Sequence, residues 1–186
     1  KATGVSIMKM TEKMDTGPIL FQRELAIEGN DNEITLSSKL SGLGALLLTE
    51  AISLIDKANP LFIEQDNNKA TFAPKLQKKD GLISWENSAR EIHNLIRGCI
   101  QWPGAYTYYG NKLVKFFDAE ALPNYPQTDS WRPAEIVDVS SKGIDITCVQ
   151  GILRVKSLQE EGRRRMPAAE FIAGHKLNKG SFFGKK

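Results

Sequence analysis

Thr3-Gly4-Val5-Ser6-Ile7-Met8-Lys9-Met10, followed by Met14-Asp15-Thr16-Gly17-Pro18 and the run Ile19 to Ala26, decides how the front of the chain is read. Val5 and Ile7 alternate with Ser6 and Met8, the period of a strand. Gly17 and Pro18 suit a turn into a second strand. Nothing before Lys1 caps or turns the first strand, so the chain opens like a domain whose front is missing. A helix is expected from near Thr35 to about Lys57, because Leu36, Leu40, Leu43, Leu47, Leu54 and Ile55 form an apolar stripe at helical spacing. Strand, strand and long helix fit the tail of an α/β domain over residues 1–58.

Working outward, the pattern breaks down between Asn59 and Lys79 into Pro60, the polar run Glu64-Gln65-Asp66-Asn67-Asn68-Lys69 and the basic end Lys75-Leu76-Gln77-Lys78-Lys79. Residues 59–79 are expected to be an interdomain linker. Ser88-Ala89-Arg90-Glu91 then has the spacing of a capping box, with Ile92, Leu95, Ile96 and Ile100 continuing an amphipathic helix that Trp102-Pro103-Gly104 ends. Short strands follow at Ala105–Tyr109, Lys112–Phe117, Ala134–Val139, Ile144–Val149 and Ile152–Leu158, the first two joined by a Gly110-Asn111 turn. Five short strands with tight turns predict an open five-stranded OB-like β-barrel over residues 80–186, with an SH3-like barrel as the other option. A last helix, Pro167 to about Gly174, has proline in its first turn and glycine near its end.

Composition narrows the function classes. At 186 residues and 41% hydrophobic, the chain has enough apolar material for a real core, which excludes a disordered protein. Cys99 and Cys148 are far apart, with no metal-ligand spacing, so they are expected to be buried packing residues in a reducing compartment, and no metal is expected. The longest purely apolar run, Ala45-Leu46-Leu47-Leu48, falls far short of a membrane helix, and no signal peptide pattern is present. A cytoplasmic, monomeric protein with no membrane partner is expected.

Charge is unevenly spread. Residues 1–80 hold 10 Lys and Arg against 11 Asp and Glu, a net of −1, whereas residues 81–186 hold 15 against 11, a net of +4. A basic carboxy-terminal domain suits a polyanionic partner, because lysine and arginine gain affinity by releasing counterions from phosphates. An ordinary solvated surface would read the same way.

Few residues have catalytic potential. His93 lies beside the apolar stripe of its helix, and His175 follows the last helix, where it suits either a phosphate contact or a hydrogen-bonded helix end. No nucleophile elbow, P-loop or metal-binding helix is present. Asp15, in a loop between two strands, stands where α/β folds place functional groups and could orient a histidine or a water. An aspartate accepting its own backbone N–H groups in an Asx-turn remains the other reading.

The stretch Thr3 to Met10 with Met14-Asp15-Thr16-Gly17-Pro18-Ile19-Leu20 closely resembles the later part of the formyltransferase domain of the methionyl-tRNA formyltransferase family. Ile83-Ser84-Trp85, the helix ending in Trp102-Pro103, Gly143-Ile144, Gly151-Ile152-Leu153 and Arg165-Met166-Pro167-Ala168 resemble landmarks of that family's carboxy-terminal domain. The glycine-valine strand with the aspartate-glycine turn is shared with other 10-formyltetrahydrofolate enzymes, while the appended barrel narrows the resemblance to the tRNA enzymes. The resemblance implies the end of a Rossmann-like formyltransferase domain followed by a tRNA-binding barrel.

By this resemblance Asp15 is the one member of a catalytic asparagine, histidine and aspartate group that maps onto the chain. The implied reaction moves a formyl group from 10-formyltetrahydrofolate to the α-amino group of methionyl initiator tRNA. Attack by the amine creates an oxyanion that needs hydrogen-bond donors, and the departing folate nitrogen needs a proton. Asp15 would orient the histidine or an ordered water and keep the histidine protonated. Glu12, Lys13, Met14 and Thr16 would flank the pterin. Lys75, Lys78, Lys79, Arg163, Arg164, Arg165, His175, Lys176 and Lys179 are the implied contacts to the tRNA acceptor arm. Two other classes stay open: a formyltransferase acting on a sugar nucleotide or glycinamide ribonucleotide, and a non-catalytic RNA-binding module.

Overall fold

The computed structural model describes residues 1–57, 60–122, 125, 131–175 and 177–184. The chain divides into two compact units, Lys1–Lys75 and Leu76–Lys186.

In the first unit β1 (Ala2–Met8) and β2 (Ile19–Ala26) form an antiparallel pair, in register from Ala2 opposite Ala26 to Ile7 opposite Phe21, with an irregularity that sets Met8 against Ile19. Gly4 is required because a Cβ there would stand 2.4 Å from the Arg23 carbonyl oxygen of the neighbouring strand. The long helix α1 runs over Glu33–Lys57. It starts earlier than the apolar stripe suggests because Asn32 caps it, its Oδ1 accepting from the Ile34 and Thr35 amides at 2.9 and 3.0 Å. Buried Asp31 fixes the preceding turn, accepting from the Glu28 amide and from Lys39. The Lys39 hydrogen bond is the main reason the Asp31 carboxyl is held below its ordinary range.

The stripe on α1 is broader than the sheet it covers. Leu47 and Ala51 are buried, and Leu36, Leu40, Leu43 and Leu54 are half-buried. Ile55, expected in the stripe, is exposed instead, as are Ile34, Leu46, Leu48 and Ile52. By length and composition alone α1 would also pass for a membrane span. Its Lys39 pairs with Asp31 and its Glu50 with Arg23, as suits a helix layered on a sheet.

Residues expected to be linker are divided between the units. Ile63 pairs with Ile19, each amide donating to the other's carbonyl at 2.8 Å, so the chain after Pro60 runs beside the start of β2. The 3₁₀ turn Lys78–Gly81 belongs to the second unit.

After that turn the Ile83 amide donates to the Tyr106 carbonyl at 2.8 Å. Helix α2 (Ala89–Gly98) carries the expected capping box: the Glu91 amide donates to Ser88 Oγ, and the Ser88 amide donates to Glu91 Oε2. Then come β3 (Ala105–Tyr109), β4 (Lys112–Leu122), β5 (Ile136–Ser140), β6 (Gly143–Thr147), β7 (Ile152–Glu160), β8 (Met166–Pro167) and α3 (Ala168–Gly174). They form one antiparallel sheet in the order β3-β4-β7-β6-β5, with β8 beside β7. All five expected strands form, β3 with the expected ends and the other four with shifted ones. β4 continues past Phe117 because register shifts around Asp118 let it stay paired with β7. β5 starts after Ala134, whose positive φ of 73° takes it out of the strand. The sixth strand, β8, was not expected, and among the described residues β3 and β5 do not pair to close a barrel.

The core of this unit lies between the sheet and the two helices, around Ile92, Ile96, Val114, Phe116, Ile144, Leu153, Val155, Leu158 and Phe171. Trp85 donates from its indole to Thr107 Oγ1 and meets Phe116 edge-on. Both cysteines are buried, as expected, and burial pushes the Cys148 thiol up to about 12.

Candidate functional site

Asp15 lies in the loop between β1 and β2, exposed, in a left-handed backbone conformation with φ of 59°. Aspartate tolerates this region better than most side chains. No Asx-turn forms: among the described residues the Asp15 carboxylate accepts no hydrogen bond, and only its backbone carbonyl is engaged. Among the described residues the carboxylate oxygens are therefore without a hydrogen-bond partner.

The loop around it is tied at several points. At its neck the Lys9 amide donates to the Pro18 carbonyl at 2.9 Å. Gly17 passes so close that a Cβ there would stand 1.7 Å from the Lys9 carbonyl oxygen. Thr11 Oγ1 and Thr16 Oγ1 are 3.0 Å apart and each lies 3.1 Å from the Lys13 carbonyl. Two hydroxyl protons are shared among these three contacts, so at most two of them are full hydrogen bonds at one time. Thr16 thus faces inward to its own loop, whereas Glu12, Lys13 and Met14 are exposed, Met14 at 88%.

Sequence reasoning missed Gln65. Its side-chain nitrogen donates to the carbonyls of Asp15 at 3.0 Å and Gly17 at 2.6 Å, locking both sides of Thr16. The apolar run Leu61-Phe62-Ile63 just before it was the available signal for a strand-like stretch, which pairs its backbone with Ile19 while Leu61 and Ile63 stay exposed. A depression of about 440 Å³ lies over β1 and β2 between Thr3 and Glu24, and Asp15 does not line it.

Most of the expected basic contacts after Gly81 are not free charges. The Arg163 guanidinium lies 3.8 Å from Glu160, and Arg164 pairs with Glu170. Arg165 donates from Nε to Ser157 Oγ at 2.9 Å and lies over the Phe117 ring, 4.7 Å from its centroid. Lys179 pairs with Asp138 at 2.7 Å, which raises the lysine and lowers the aspartate. His175 sits at a hydrogen-bonded helix end: Nδ1 is 2.9 Å from the Phe171 carbonyl, Nε2 is 3.3 Å from Glu160, and the ring stacks on Phe171. Lys75, Lys78 and Lys79 are exposed, with no ion pair among the described residues. Lys176 lies outside the described residues. His93 is half-buried, and burial, followed by the nearby Arg97, favours its neutral form. Among the described residues no cluster of metal-ligating side chains occurs.

An exposed carboxylate on a braced hairpin loop, ahead of a separate β-unit whose cations are largely paired, describes a two-unit α/β protein. The sequence pattern described as "Formyl transferase" matches residues 1–52, and "Formyl transferase, C-terminal domain" matches residues 75–176. The chain belongs to the formyl transferase family. It is 43% identical over 178 residues to a methionyl-tRNA formyltransferase of Caldicellulosiruptor saccharolyticus, covering 96% of this chain and 56% of that protein. It is 41% identical over 180 residues to the methionyl-tRNA formyltransferase of Thermodesulfovibrio yellowstonii, covering 97% of this chain and 56% of that one. The chain thus spans about half the length of these relatives.

Among solved structures, HypX from Aquifex aeolicus in complex with tetrahydrofolic acid superposes with a TM-score of 0.67 at 16% identity, over 92% of this chain and 30% of that one. At that identity the likeness shows the fold alone. A methionyl-tRNA formyltransferase from Clostridium thermocellum superposes with a TM-score of 0.50 at 27% identity, over 64% of this chain and 51% of that one. The chain therefore has a formyltransferase fold, with mixed α/β structure and two sheets.

Proposed function

We propose that the chain is the carboxy-terminal part of an enzyme that moves a formyl group from 10-formyltetrahydrofolate to the α-amino group of methionyl initiator tRNA. The observation that carries this reading is the similarity of both units, in this order, to proteins named methionyl-tRNA formyltransferase. The structural neighbour holding tetrahydrofolic acid supports a folate co-substrate. In this reading residues 1–58 complete the formyltransferase domain, 59–79 lead out of it, and 80–186 are an OB-like tRNA-binding domain in a cytoplasmic monomer. The exposed apolar side of α1, with Leu46, Leu48 and Ile52, is where a further layer of that domain packs.

Asp15 is the catalytic carboxylate. By the family resemblance the imidazole that Asp15 orients belongs to the part of the complete enzyme outside this chain, which spans 56% of its relative. A fixed carboxylate beside that imidazole favours its protonated form, which places a donor toward the oxyanion and a proton within reach of the leaving folate nitrogen. Glu12, Lys13, Met14 and Thr16 flank the pterin, Thr16 through its backbone because its hydroxyl is turned into the loop.

Lys75, Lys78 and Lys79 are the cations readiest for tRNA phosphates. Arg163, Arg164 and Lys179 would exchange a carboxylate partner for a phosphate, and His175 would have to leave Glu160. Such contacts position the acceptor arm without reading bases. In the complete enzyme Asp15→Asn should lower kcat by about 10²- to 10⁴-fold with little change in folate KM. Equal losses in both would reject the catalytic assignment, and residues 1–186 alone should show no transfer.

A further inference from the structure

We propose that Gln65 is a positioning residue that holds the Asp15 carboxylate in its working orientation, an inference that rests on the catalytic reading of Asp15. The Gln65 side-chain amide donates to the Asp15 carbonyl at 3.0 Å and to the Gly17 carbonyl at 2.6 Å, with the Met8 sulfur at 3.9 Å as a weaker third acceptor. Among the described residues neither carbonyl accepts a backbone N–H. Asp15 needs such a tie. Its φ of 59° is a conformation that costs a non-glycine residue about 1–2 kcal/mol, so an unbraced loop relaxes away from it and carries the carboxylate along.

The anchor of Gln65 is independent of the loop. The paired amides and carbonyls of Ile63 and Ile19 fix the chain two positions earlier against the first residue of β2. The half-buried Gln65 side chain therefore reaches the loop from a rigid base, and the chain that sets the Asp15 geometry lies 50 residues away in sequence. The chemistry of the contact is one-sided: the loop offers two carbonyl oxygens and accepts only a donor. Glutamine has the donor and the length, asparagine lacks the reach to bridge both carbonyls, and ionised glutamate would present oxygen to oxygen.

The test uses the complete enzyme with four variants, Gln65→Ala, Gln65→Glu, Asp15→Asn and the double variant Asp15→Asn with Gln65→Ala. Gln65→Ala should lower kcat about 10- to 100-fold, the scale of a displaced catalytic group, with KM for either substrate within about twofold. Adding it to Asp15→Asn should cause no further loss, because both act through one carboxylate. Gln65→Glu should be as impaired at neutral pH and recover in part relative to the parent as the pH falls towards about 4, where a protonated carboxyl supplies one donor for one of the two carbonyls. Should Gln65→Ala fail to fold, the pH recovery of Gln65→Glu decides. Full activity of Gln65→Ala, a loss that multiplies with Asp15→Asn, or a Gln65→Glu variant with no pH recovery would each overturn the proposal. Full activity of Asp15→Asn would instead remove the catalytic reading beneath it.

Discussion

Lys112 holds Glu160: the ammonium stands 2.8 Å from a carboxylate that is only 3% exposed. The lysine comes from the start of β4 and the glutamate from the end of β7, so the pair joins two strands at one edge of their pairing. Arg163 and His175 approach the same carboxylate, which makes it the electrostatic centre of this end of the second unit.

The Lys112 hydrogen bond, with help from His175 and against burial, keeps the Glu160 carboxyl below its ordinary 4.5. The folded state then binds fewer protons than the unfolded state between the two values, so this stabilisation is complete above about pH 4.5 and fades as the pH falls through the folded value. Lys112→Met should lower stability at neutral pH by about 1–3 kcal/mol. That is less than the roughly 3–5 kcal/mol of a wholly abandoned buried charge, because Arg163 and His175 remain. In denaturant titrations the gap between parent and variant should narrow in acid, and a gap independent of pH would show that the lysine acts only through packing.

His93 gives a second pH dependence of the same sign in a different window. Burial first, then Arg97, lowers it from 6.5, although Asp118 and Glu120 pull the other way. A folded value below the unfolded one means stability is lost as the pH falls from about 6.5 towards the folded value. The melting temperature of the parent should therefore drop between about pH 7.5 and 5.5, and His93→Gln should remove most of that drop. An identical drop in the variant would place its origin elsewhere.

Gly17→Ala tests the loop geometry without touching any hydrogen-bonding side chain. The added methyl would stand 1.7 Å from the Lys9 carbonyl oxygen, which is backbone, so the loop must open and the Lys9 to Pro18 bond must lengthen or break. In the complete enzyme a loss of more than about 10-fold in kcat is expected, with the unfolding of the second unit unchanged. An active Gly17→Ala would show that the working geometry of the loop differs from this one.

How much was legible in the sequence depended on how local each interaction is. The capping box of α2 was readable because Ser88 and Glu91 stand one turn apart and each satisfies the other's backbone. The Gly110-Asn111 turn was readable because Gly110 supplies a positive φ of 58° between two paired strands. The two-residue strand β8 was not, since it exists only because β7 offers it an edge. Asp15 could be singled out by its setting, but its free carboxylate could not be foreseen, and Gln65 looked like one more polar residue in a linker. The cationic run was legible as charge but not as pairing: Glu170 reaches Arg164 across a turn and Ser157 reaches Arg165 across strands.

That pairing changes what the arginine run should do to RNA. Each phosphate neutralised adds about 0.7 to 0.9 to the slope of log affinity against log salt, but an arginine already facing a carboxylate gains less from exchanging it. Replacing Arg164 and Arg165 together with alanine should flatten the slope by about one unit, less than two unpaired arginines would, and weaken all tRNAs alike. Arg164 contributes less than Lys78 or Lys79, because Glu170 competes for it. Glu170→Gln removes that competitor and should raise affinity and steepen the slope, whereas the same substitution in an Arg164→Ala background should have almost no effect. Preference for initiator over elongator tRNA should survive throughout, since phosphate contacts carry no sequence information. Electrophoretic shift titrations at several salt concentrations give both quantities. An unchanged slope in the double arginine variant would make the run a solvated loop, and a selective loss of initiator preference would place specificity in this unit.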